Sequence, residues 1–202
     1  MSDVTETTFG GIMAAARLGE EWAVAAVWRD VHPRLLRYLR VVAPRAGAED
    51  VASDVWLEIA GGLGRFDGDR QAFLRFAFTV CRRRVIDAGR RDARRRTDPA
   101  PPEVVAELAS AGDGGLEARL ALDSALARLA ALPRDQAEVI LLRVVVGLDA
   151  DSVGEILGKR PSTVRVLQHR GLVRLGAAFA AERAVTDEAA DTILETDEPL
   201  SA

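Results

Sequence analysis

Residues 161–175, PSTVRVLQHRGLVRL, carry two kinds of side chain at helical spacing. At about 100° per residue, Val164, Leu167, Gly171, Leu172 and Leu175 share one side and can dock on a core. Ser162, Val166 and His169 fall near the opposite side, flanked by Thr163, Arg165, Arg170 and Arg174. A hydroxyl, an imidazole and a branched apolar side chain can meet base edges in a DNA major groove, and arginine can hold a phosphate or grip guanine. A second basic stretch, residues 82–96, has eight arginines against Asp87 and Asp92. Phe73 and Phe76 precede it and are expected in the core. Basic residues beside aromatics at a loop–helix junction also suit single-stranded DNA, with charge for the backbone and a ring or pocket for a base. Nothing comparable supports catalysis. His32 and His169 lie in separate parts of the chain, Cys81 is the only cysteine, and no acid pair accompanies a nucleophile or a metal-ligand set. Asp50 and Asp54 share a helix face, but a metal needs more ligands than lie near them. The loop GGLGRFDGD lacks the lysine and hydroxyl of a phosphate-binding loop.

The charge is asymmetric. The 202 residues sum to −4, yet residues 82–96 sum to +6 and residues 182–202 to −6. A net negative chain does not coat nucleic acid by itself, whereas such asymmetry fits a nucleic-acid surface and an acidic tail on one chain. Apolar residues make up 49% and are mostly Ala, Leu and Val, which favours helices. A single cysteine excludes an intramolecular disulfide. The longest apolar stretch, residues 137–146, is broken by Glu138 and Arg143, and the N-terminus lacks a signal-peptide pattern. The expected compartment is the cytoplasm, without membrane insertion.

These residues require helices to position them. Residues 1–9 read as frayed. From about 10 to 42 the pattern is helical, with Trp22, Val24, Ala25 and Trp28 at helical spacing, and Pro33 is expected to interrupt it and start a new turn. His32 reads as a helix-end residue. A helix over 48–60, AEDVASDVWLEIA, packs Val51, Val55 and Ile59. A loop over 61–69 and a long helix over 70–96 follow. Residues 97–115 hold three prolines, three glycines and no basic residue, and read as a linker. Leu122, Leu126 and Leu129 mark one face of the next helix. Pro133 starts another, ended by Gly147. A short helix over 151–157 stops at Gly158, and Pro161 sits in the first turn of the helix described above, completing a helix-turn-helix. Residues 182–202 read as disordered, with one weak turn around Ile193 and Leu194.

Two blocks, in order and separated only by that linker, resemble the extracytoplasmic-function (ECF) group of bacterial RNA polymerase sigma factors over roughly residues 17–180. HPRLLRYL, AEDVASDVWLEIA and FLRFAFTVCRRRVIDAGRR are similar to sigma region 2. LARLAALPRDQAEVILLRVVVGLDADSVGEILGKRPSTVRVLQHRGLVRL is similar to sigma region 4. Ser53 replaces the family's usual Gln, Phe76 the common Trp, Cys81 the common Ala, Arg83 a frequent Asn or His, and Ser152 and Gly154 the usual Glu and Ala.

The resemblance implies an all-α fold of two small helical domains joined by a flexible linker: 1–96 (region 2), 97–115 (linker), 116–181 (region 4) and 182–202 (acidic tail). It implies a non-enzymatic protein with no cofactor, metal or small-molecule substrate. Its partners would be core RNA polymerase through the beta-prime and beta subunits, promoter DNA and an anti-sigma factor. Asp50, Asp54, Val55 and Trp56 would contact the beta-prime clamp. Arg82, Arg83, Arg84, Arg90 and Arg91 would serve the −10 element, with Asp87 a structural partner for neighbouring arginines. Ser162, Thr163, Arg165, Val166, His169, Arg170 and Arg174 would serve the −35 element. The competing reading is a helix-turn-helix repressor or activator that binds an operator without core polymerase.

Overall fold

The computed structural model describes residues 2–95 and 115–195, and every regular element in it is helical. The linker expected over 97–115 lies outside the described residues except for Gly115. In chain order the helices are α1 (Ser2–Arg17), α2 (Glu21–Val42), α3 (Ala48–Leu63), α4 (Arg70–Arg95), α5 (Leu116–Ala130), α6 (Arg134–Ile140), α7 (Ala150–Leu157) and α8 (Pro161–Glu195). A π-helical segment, Leu141–Val146, continues α6. No helix among the described residues is long and apolar enough to cross a membrane.

The first half is α1–α4. Ala23, Val27, Val31, Leu35, Leu36, Tyr38 and Leu39 form the buried stripe of α2. Trp22, Val24 and Trp28 lie off this stripe and are exposed. Pro33 does not interrupt α2, which runs unbroken through it; burial on either side outweighs the one backbone bond that proline forgoes. Residues 2–9, expected to be frayed, are helical and open α1, which Phe9 and Met13 anchor in the core. Helix α3 extends through Leu63, so the loop before α4 shrinks to 64–69. Asp69 accepts the Ala72 N–H at 2.7 Å and starts α4. Phe73, Leu74, Ala77, Phe78 and Cys81 then fill the centre of the half.

In the second half, Leu126 and Leu129 of α5 are buried where α5 meets α2, α6 and α8, and Val139 of α6 and Leu141, Leu142 and Val146 of the π-helical segment are wholly buried. Gly147 takes φ 86° and turns the chain toward α7. Asp149 caps α7 by accepting the Ser152 N–H at 2.7 Å, and Gly158 ends it at φ 65°. Only glycine adopts that backbone routinely. Of the residues 182–202 expected to be disordered, those up to Glu195 continue α8 as helix. The core is contiguous across both halves, with α2 and α4 packed on α5, α6, the π-helical segment and α7.

The Ser152 amide holds the Asp149 carboxyl below its usual value of 3.8. A depressed carboxyl pKa contributes stability that is present above the unfolded value and lost as pH falls through the folded one. Asp149→Ala should therefore cost about 1 kcal/mol at neutral pH. Thermal melts of the two proteins should differ at pH 7 and converge as pH falls below about 3.8.

Candidate nucleic-acid and polymerase interfaces

The helix-turn-helix is built by close approach. A Cβ on Gly154 would lie 2.6 Å from the Lys159 carbonyl oxygen, so the turn crosses α7 at a distance that glycine alone permits without a shift. Lys159 N–H donates back to the Gly154 carbonyl at 2.9 Å, and Lys159 Nζ reaches Asp135 at 2.8 Å. Val164 is wholly buried, Leu167 and Leu175 are partly buried, and Gly171 lies against Ile140. Leu172, expected on this face, is 45% exposed. Gln168 takes the inward flank instead and accepts from Arg143, which also donates to the Leu148 carbonyl at 2.6 Å. Ser162, Thr163, Arg165, Val166, His169 and Arg170 are all exposed. Arg174 is exposed as well but donates to Gln136 of α6 at 2.9 Å, which holds it at the rim of the docked side.

The arginines of α4 are less available than their sequence suggests. Arg83 and Arg84 both pair with Glu58 of α3, Arg84 at 2.9 Å. Arg82 donates to Glu138 of α6 at 3.3 Å. Arg90 lies 3.7 Å from Asp87, and Arg91 donates to the Asp87 carbonyl. Glu58 and Glu138 carry no local sequence signal for these roles. Beside them, Phe66 of the loop and Phe76 of α4 stack at 6.0 Å between centroids with an interplanar angle of 29°. Both are half-buried and rest on Phe73. Phe66 is an aromatic contributor that residue spacing did not single out. Cys81 is buried, and desolvation together with the nearby Glu138 carboxylate raises its thiol far above the ordinary range, so it is no nucleophile. No group of three or more metal-ligating side chains exists among the described residues.

On α3, Asp50 is exposed and Asp54 and Trp56 are half-exposed. Val55 is wholly buried, so it supports this face from beneath and cannot itself touch a partner. Trp56 Nε1–H donates to His32 Nδ1 at 3.1 Å, and the His32 ring stacks on Trp28 at 4.3 Å. His32 lies inside α2, not at a helix end as expected, and is the hub of a Trp28–His32–Trp56 cluster. Leu57, 74% exposed, lies one residue beyond.

The sequence matches the family model for ECF sigma factors over residues 6–175. It is 34% identical over 189 residues to the ECF RNA polymerase sigma factor ShbA of Streptomyces griseus subsp. griseus, covering 88% of this chain and 98% of that one. It is 35% identical over 172 residues to the ECF sigma factor SigD of Mycobacterium bovis, covering 81% and 80%. The fold is similar to CnrH, solved with the cytosolic domain of CnrY, at a TM-score of 0.56 and 20% identity over 84% of this chain and 96% of that one. It is also similar to sigma factor RpoE of Bartonella quintana, solved with the anti-sigma factor NepR, at 0.59 and 20% over 78% and 96%. The chain belongs to the ECF sigma factor family. It is an all-α sigma factor that directs transcription initiation with core RNA polymerase on promoter DNA, and the reading as an operator-binding regulator is not favoured. Sigma factors are regulators of transcription and not enzymes.

Burial lowers the His32 pKa from 6.5, against a smaller opposing effect of Glu49. The neutral ring is the one that accepts from Trp56, since a protonated Nδ1 carries its own hydrogen. The stability this bond contributes is present above about 6.5 and is lost as pH falls through the lowered folded value. Tryptophan fluorescence should change as pH falls from 7.5 toward 5, and His32→Phe should remove that transition.

Proposed function

We propose that the two halves are two DNA-reading units, with boundaries at 1–96 and 116–181, an intervening linker at 97–115 and a further acidic segment at 182–202. Ser162, Val166 and His169 meet base edges of the −35 element as duplex, and Val166 is suited to a thymine methyl. Thr163, Arg165, Arg170 and Arg174 hold the flanking phosphates. The observation that carries this reading is the division of α8: Val164 and Gly171 are buried on its docked side while Ser162, Thr163, Arg165, Val166, His169 and Arg170 are exposed on the other.

Arg82, Arg83, Arg84, Arg90 and Arg91 hold the backbone at the −10 element. Opening DNA costs on the order of 1–2 kcal/mol of stacking per base-pair step. Capture of an unstacked base against Phe66 and Phe76 offsets part of that cost, since base–aromatic stacking contributes about 1–3 kcal/mol. Asp50, Asp54 and Trp56 contact the beta-prime clamp, with Trp56 fixed by His32. An anti-sigma protein is a further partner, in keeping with the complexes in which CnrH and RpoE were solved. The place of action is the cytoplasm.

The test is run-off transcription with the purified chain and core polymerase. Promoter-dependent product is expected, and failure to bind core or to initiate would overturn the reading. Arg90→Ala and Arg91→Ala should each reduce the salt slope of promoter binding by about 1. Val166→Ala should instead relax preference at one −35 position, read by competition between single-base variants.

A further inference from the structure

We propose that Gln136, Ile140 and Arg143 form a three-rung ladder that fixes the roll of α8 about its own axis, which makes Gln136 and Arg143 positioning residues for the choice of bases at the −35 element. The proposal rests on the assignment of α8 to that element and names what sets its specificity. The three residues follow one another at i, i+4 and i+7 along α6 and the π-helical segment, and all three meet α8. Their partners on α8 run in the opposite order. Gln136 Oε1 accepts from Arg174 at 2.9 Å, Ile140 lies against Gly171, and Arg143 Nε–H donates to Gln168 Oε1 at 3.0 Å.

The middle rung is a pivot. A Cβ on Gly171 would lie 2.5 Å from Ile140 Cδ1, so the helices touch there with no side chain on α8 to key the contact. Apolar contact is non-directional and by itself permits rotation about that point. The outer rungs remove this freedom. With 3.6 residues per turn, Gln168 and Arg174 stand about 60° to either side of Gly171. Hydrogen bonds are directional, so the two rungs brace α8 in opposite senses. Gln136 is buried and Arg143 half-buried. The Arg143 guanidinium is held a second time by the Leu148 carbonyl at 2.6 Å, and its planar fork leaves little rotation between two acceptors. Ser162, Val166 and His169 all fall within about 40° of the direction opposite Gly171. The two braces therefore centre these three residues on the DNA.

Small rotations matter at this radius. A helix with its side chains is about 10–12 Å across, so a roll of about 10° moves a contacting atom by roughly 1 Å. A hydrogen bond to a base edge tolerates only about 0.5 Å, the spread of ordinary donor–acceptor distances. A rung that yields therefore changes which bases are read while the fold stays intact. Arg174 gives the ladder one of its five N–H donors, and the others can still meet the phosphate assigned to it.

The experiment uses the full chain on core polymerase and a promoter from which that holoenzyme initiates. Initiation is compared across every single-base change of the −35 element, with changes in the −10 element as the control. Arg143→Met and Gln168→Leu cut the same outer rung from its two sides. In each, the preference between the best and the next base at one or more −35 positions should fall roughly fivefold, the lower end of what one good base contact contributes. Ratios at the −10 element should not change. The double variant should do no more than either single one, because both remove one bond. Gln136→Leu cuts the opposite rung and should lower −35 preference by a similar factor. Gln168→Glu keeps the acceptor and should retain the wild-type ratios. A merely structural role would lower product from every promoter by the same factor and leave the ratios intact. That result in Arg143→Met and Gln168→Leu would overturn the proposal, and if one of the two fails to fold the other decides. The wild type separates the two readings: absence of any base preference at −35 rejects the assignment of α8 together with the ladder, whereas a wild-type preference that both variants keep rejects the ladder alone.

Discussion

One buried carboxylate joins the two halves of this molecule. Glu138 lies inside an apolar helix that could otherwise have been made wholly of valine and leucine. Its hydrogen bonds lead to Tyr38 and Arg82, 100 and 56 residues away in the chain. Around that point the packing of α2 and α4 on α6 and the π-helical segment makes one core from what would otherwise be two. Without these two donors Glu138 would be a buried unpaired charge, which costs several kcal/mol, so the register of the contact between the halves depends on them.

The electrostatics of the rest of the chain follow a related logic. The arginines of α4 that are proposed for the −10 element mostly have a partner already, in Glu58, Glu138 or Asp87. The exposed side of α8 keeps its basic residues open to solvent apart from Arg174. A chain with a net charge of −4 and its first-half cations neutralised internally has weak attraction for DNA in general. The aromatic cluster on α2 and α3, proposed as the polymerase-facing surface, has a fixed shape of its own: His32 holds Trp56 in place by a ring hydrogen bond and stacks on Trp28.

Local rules made much of this legible. Glycine at 147 and 158 and proline at 161 mark the end of the π-helical segment, the end of α7 and the start of α8 through backbone preferences that need no tertiary context, whereas the cap at Asp149 was not singled out. The leucine spacing of α5 identifies its buried face for the same reason. Other features depend on contacts far apart in the chain and left no local mark. The inward stripe of α2 runs through Ala23, Val27, Val31 and Leu35 and leaves Trp22 and Trp28 exposed, a choice of face set by the neighbouring helices. Pro33 sits inside a helix because burial on both sides holds it there. Glu138 reads in sequence as an interruption of an apolar run, whereas in the fold it is the residue on which two distant donors converge. The same holds for Glu58, whose role depends on α4 crossing α3.

The account is tested most directly by energy transfer between fluorophores at Leu57→Cys on α3 and Val173→Cys on α8, both exposed, with the buried Cys81 left in place. Transfer should be high in the free chain and should fall sharply when core polymerase is added, in parallel with the gain of promoter-dependent initiation. Transfer that remains high in a complex that initiates transcription would contradict it.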